Sequence, residues 1–76
     1  MISQEQIQEK LAFEIKSSGI SQKKIAERIG IKQQTISEYI NGKSMPSMET
    51  FANLCEVLDL DANEILCIRR NTDNII

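Results

Sequence analysis

Two neighbouring glutamines, Gln33 and Gln34, stand between Lys32 and Thr35. A glutamine amide carries a donor and an acceptor on one plane. It can bond adenine at two points, or donate to the acceptors of guanine. Thr35 adds a methyl group that suits a thymine methyl, and a hydroxyl for a base edge or a phosphate. Glutamines that are simply soluble helix formers would give the same letters. A generic solvated face, however, usually carries more Glu and Lys than this nearly uncharged turn.

Other chemistries find little support. The chain has no histidine and only two cysteines, Cys55 and Cys67. A structural zinc site needs four ligands, so no metal is expected. The two thiols read as buried and inert, with a disulfide or a reactive thiol as the lesser alternatives. There is no Gly-rich phosphate loop and no carboxylate pair on a rigid cleft, so neither a cofactor nor enzymatic activity is expected.

The elements that must position Gln33 and Gln34 follow from periodicity. Ile7, Leu11 and Ile15, with Ala12, mark an apolar face over residues 4–17, with Ser3 as N-cap and Gly19 suited to a left-handed stop. Ser21 caps a second helix, 22–29, with Ile25, Ala26 and Ile29 inward and Gly30 ending it. A third helix, about 33–40, carries Ile36, Tyr39 and Ile40 and closes at Asn41-Gly42. After Lys43-Ser44-Met45-Pro46, Ser47 caps a fourth helix, 48–58, with Phe51, Leu54, Cys55 and Leu58 on one face. Asp61 with Glu64 resembles a capping box for a short fifth helix, about 62–68, burying Ile65, Leu66 and Ile68.

Five helices without any alternating apolar segment make an all-α domain. The 76 residues allow one compact domain with a small core built chiefly of Ile and Leu, since Phe13, Tyr39 and Phe51 are the only aromatics. The domain is expected over 1–70, with 71–76 as a short tail. No apolar run approaches a membrane span and the start lacks the pattern of a signal peptide, so a cytoplasmic location is expected.

The net charge of −2 speaks weakly against a nucleic-acid partner, but the charge is unevenly spread. Residues 1–15 carry three acids against Lys10, for −2. Residues 16–43 carry Lys16, Lys23, Lys24, Arg28, Lys32 and Lys43 against Glu27 and Glu38, for +4. Residues 44–76 carry six acids against Arg69 and Arg70, for −4. A basic middle between acidic ends gives an anionic partner a local target.

The join of the second and third helices is the informative point. Gly30-Ile31-Lys32 is the whole connection between two eight-residue helices, which must cross steeply to bury both apolar faces. The stretch from Ser21 to Lys43, with Ala26, Gly30 and Ile36 at its framework positions, resembles the Cro/repressor-type helix-turn-helix. Residues 46–51 and 58–66 resemble that family's fourth and fifth helices. The likeness spans about 4–67 and implies a lambda-repressor-like fold with the helix-turn-helix at 22–41.

The resemblance also implies roles. Gln33 and Gln34 would reach base edges, and Thr35, Ser37 and Glu38 would lie along the flank facing bases or backbone. Gln22 would bond a phosphate and brace the reading helix. Asn41, Lys43 and Ser44 would meet the backbone beyond it, with Lys23 and Lys16 contributing nonspecifically. Phosphate contacts orient and base contacts specify.

Two positions depart from the family pattern. Lys32 stands where a capping Ser or Thr is usual; it cannot cap, and a phosphate contact would compensate. Ile15 and Ile40 stand where members often have a partly buried Arg–Glu pair, which implies a packed apolar contact instead. The expected function is double-stranded DNA binding by a transcriptional regulator, a repressor acting as a homodimer on a pseudo-palindromic operator. The dimer contact is expected at residues 58–68 and the Ile75-Ile76 tail. The competing reading is an antitoxin-like module that holds a protein partner through the acidic C-terminal third.

Overall fold

A computed structural model describes residues 1–68 as α1 (Gln4–Ser17), α2 (Gln22–Ile29), α3 (Gln33–Ile40), α4 (Met48–Leu58) and α5 (Ala62–Ile65). The first four helices have the bounds that capping and periodicity predict. Serine hydroxyls explain three of the starts. The Ser3, Ser21 and Ser47 side chains accept from the backbone N–H groups of Gln6, Lys24 and Thr50 at 3.1–3.2 Å. At Ser3 the bond is reciprocal, because Ser3 N–H donates to Gln6 Oε1 at 2.8 Å and completes a capping box.

The ends are equally local. At Gly30 the backbone turns left-handed (φ 83°), and Ile31 N–H donates back to the Ala26 carbonyl at 3.0 Å. A Cβ at Gly30 would meet nothing within 4 Å, so the dihedral alone selects glycine there.

The fifth helix is shorter than expected. It stops at Ile65, and Cys67 takes a left-handed φ of 61° while Ile68 N–H donates to the Asn63 carbonyl at 2.8 Å. That turn carries Ile68 out into solvent at 50% exposure instead of inward. Asp61 caps Asn63 N–H at 3.0 Å, one residue earlier than a capping box with Glu64 requires. The Ile75-Ile76 tail, Arg69, Arg70 and the boundary at 70 lie outside the described residues.

Each helix contributes to one core. Leu11 and Ile15 from α1, Ile25 from α2, Ile36 from α3, Leu54 from α4 and Ile65 from α5 are essentially inaccessible to solvent. Each such side chain contributes about 1.5–3 kcal/mol through burial. Helix α3 packs against both α1 and α2, which fixes it from two sides. Ile15 is buried and Ile40 packs half-buried against the same cluster, so apolar contact occupies the place of the ion pair. Cys55 and Cys67 are both half-buried and unpaired.

Candidate nucleic-acid interface

The start of α3 is built to project. Ile36 and Tyr39 are buried and pull one face of the helix onto α1 and α2, which leaves Lys32, Gln33 and Gln34 exposed on the first turn. Lys32 is the N-cap in extended conformation (φ −77°, ψ 145°) and makes no side-chain cap bond. The first amides of a helix have no acceptor within it. At Gln33 and Gln34 they therefore sit beside two exposed side-chain amides at the positive end of the helix dipole.

The rest of the expected set divides by position. Thr35, Ser37 and Glu38 are half-buried on the flank of α3. Gln22 is half-buried and Lys23 exposed at the start of α2. Asn41 and Lys43 are exposed past the far end of α3, about 12 Å along its axis from Gln33 at the rise of an ideal helix. Lys16 and Asn41 line one recess of about 520 Å³, together with Gln8, Phe13 and Ile40. Lys43 and Ser44 line another, of about 450 Å³, against the start of α1.

Ser44 departs in detail. Its hydroxyl oxygen is shut off from solvent and has no hydrogen-bond partner among the described residues. In this conformation the Ser44 hydroxyl is not offered to an outside ligand. Glu38 is tied into the structure through its backbone. Its carbonyl accepts from Lys43 N–H at 2.9 Å, and its carboxylate lies close enough to Tyr39 to act on the phenol. Burial, then the Glu38 charge, pushes the Tyr39 hydroxyl above its ordinary range, with Thr50 beside it partly offsetting the rise.

One contributor carries no sequence signal. Gln8, on α1, donates from Nε2 to the carbonyls of Tyr39 at 3.2 Å and Ile40 at 3.4 Å. It lies at the edge of the α1 apolar stripe, four residues before Ala12, where a glutamine looks like an ordinary boundary residue. Among the described residues no group of His, Cys, Asp and Glu could hold a metal, and no helix is long and apolar enough to cross a membrane.

Comparison with known proteins adds a family and named relatives. The family described as helix-turn-helix matches residues 11–65. The cryptic phage CTXphi transcriptional repressor RstR of Vibrio cholerae serotype O1 is 33% identical over 67 residues, covering 88% of this chain and 59% of that protein. The HTH-type transcriptional regulators for conjugative elements SXT of Vibrio cholerae and pMERPH of Shewanella putrefaciens are each 39% identical over 57 residues. Those alignments cover 75% of this chain and 26% of each regulator. The chain thus spans between a quarter and three fifths of the length of these relatives. No solved structure gives a significant match.

Proposed function

The chain belongs to the helix-turn-helix family, and from that premise we propose that it is a transcriptional regulator, a repressor, that reads double-stranded DNA through the major groove with α3. The observation that carries this reading is the first turn of α3, where Lys32, Gln33 and Gln34 are exposed and uncapped on a helix held by α1 and α2. Gln33 and Gln34 read base edges, with Thr35, Ser37 and Glu38 on the flank. Gln22, Lys23, Lys32, Asn41, Lys43 and the Ser44 backbone hold phosphates. The relatives support the class, since each is named as a regulator of transcription and one as a repressor.

The protein acts in the cytoplasm as a homodimer on a pseudo-palindromic operator. One small domain touches too few bases for high specificity, and paired half-sites about 34 Å apart supply the rest. Support for a dimer surface comes from Phe13 and Ile68, which are 63% and 50% exposed. Phe13 and Cys67 line one recess, placing α1 apolar surface beside residues 58–68.

Selection from a random duplex pool tests the reading. An inverted repeat with half-sites one helical turn apart is expected. A pool that enriches no sequence, with binding that ignores salt, would overturn it.

A further inference from the structure

We propose that Gln8 is a positioning residue for DNA reading, its amide fixing the tilt of α3 from α1. The proposal rests on the DNA-reading role of α3 and concerns how that helix is aimed.

Gln8 Nε2 bears two hydrogens and meets two acceptors, the last-turn carbonyls of Tyr39 and Ile40. The Tyr39 carbonyl also accepts from Gly42 N–H at 3.3 Å, whereas the Ile40 carbonyl has no backbone donor among the described residues. An exposed helix end can satisfy such carbonyls with water. Here the donor comes from 31 and 32 residues away, on another helix. The seat is fitted as well. A Cβ on Gly42 would come within 3.1–3.2 Å of the Gln8 amide atoms, so the amide lies against a bare Cα.

The remaining packing between α1 and α3 is apolar, and apolar contact has no preferred direction. Among the described residues the Gln8 bonds are the directional links between these helices. Helix α3 is a rod of eight residues, roughly 12 Å long. A tilt of roughly 5° at its fastened end moves Gln33 by roughly 1 Å, more than the spread tolerated by a hydrogen bond to a base. Phosphate contacts of flexible lysines absorb such a shift. Losing the tether therefore costs sequence discrimination before it costs total affinity.

The test uses the full chain with Gln8→Met, which keeps length and packing but removes the donors, and Gln8→Lys, which restores a donor beside the negative end of α3. In the free protein, amide exchange at residues 41–43 should become several-fold faster in Gln8→Met and return towards the wild-type rate in Gln8→Lys. With a duplex selected by the wild type and a shuffled control, Gln8→Met should lower the affinity ratio about tenfold, which is about 1.4 kcal/mol of lost discrimination. The shuffled duplex should bind as before, and Gln8→Lys should recover the ratio. Equal weakening on both duplexes, or a ratio within twofold of wild type, overturns the proposal. If Gln8→Met does not fold, Gln8→Asn, whose amide is withdrawn by one methylene, is read by the same ratio. A wild-type chain that selects no duplex refutes DNA reading itself. The exchange arm is independent of DNA, and unchanged exchange in Gln8→Met overturns the tether whatever the DNA result.

Discussion

Replacing Lys32 with serine separates two things that this residue does at the start of α3. Its backbone conformation, φ −77° and ψ 145°, lies close to that of Ser21 (φ −65°, ψ 151°), whose hydroxyl caps Lys24 N–H at 3.1 Å. A serine at 32 is thus preset to cap Thr35 N–H, which now has only the Lys32 carbonyl at 3.0 Å. A side-chain N-cap typically contributes about 1 kcal/mol. Removing a cation from the positive end of the helix adds a few tenths at an exposed site. For a domain of this size the gain corresponds to a rise in melting temperature of roughly 4–8 °C. On DNA the same change removes a phosphate contact, so the slope of log affinity against log salt should flatten by about 0.9. Urea melts read the first effect, and fluorescence anisotropy across a salt series reads the second. A Lys32→Ser protein that is no more stable refutes the missing cap. One that is more stable but keeps its salt slope refutes the phosphate contact.

Three further outcomes are expected. Ile40→Glu puts a charge half-buried against the core opposite apolar Ile15, and urea melts should show a loss of about 2 kcal/mol; under ~0.5 kcal/mol would refute the packed contact. Asp59 ends α4 in a left-handed conformation at φ 53°, so Asp59→Gly should gain up to about 1 kcal/mol in the same assay, and a loss would show that the acid is needed there. Burial first, and Glu38 second, hold the Tyr39 pKa above 10.0. The folded state therefore prefers the neutral phenol, and this contribution to stability is complete below pH 10 and lost as pH rises through the folded value. Alkaline melts should show that decline in the wild type and a weaker one in Tyr39→Phe.

The sequence was legible where the controlling interaction is local. Ser3, Ser21 and Ser47 sit three residues from the amides they cap, and Gly30 and Gly42 mark left-handed turns, so four helices are placed correctly from letters alone. The end of α5 was not legible. Apolar Ile65, Leu66 and Ile68 keep a helical rhythm, and the left-handed turn falls on Cys67, which gives no glycine-like warning. The exposure of Gln33 and Gln34 could be inferred because Ile36 and Tyr39 define the opposite face. The bonds from Gln8 could not, because they join residues 31 and 32 apart and depend on tertiary packing. The inward turn of the Ser44 hydroxyl is likewise a property of the assembled loop.

Helix α3 is held unequally at its two ends. Its C-terminal end is closed by the Gly42 turn, by Lys43 N–H on the Glu38 carbonyl and by the Gln8 amide. Its N-terminal end has no side-chain cap. Mechanically this is a cantilever, clamped at one end and compliant at the other. Local opening should run from Gln33 inward, not from Ile40 outward. The two glutamines thus sit on the softest turn of a firmly mounted rod. Their side chains can adjust to the edge of a base pair while the mount keeps the register, and much of the ordering entropy of binding should be lost within this one turn.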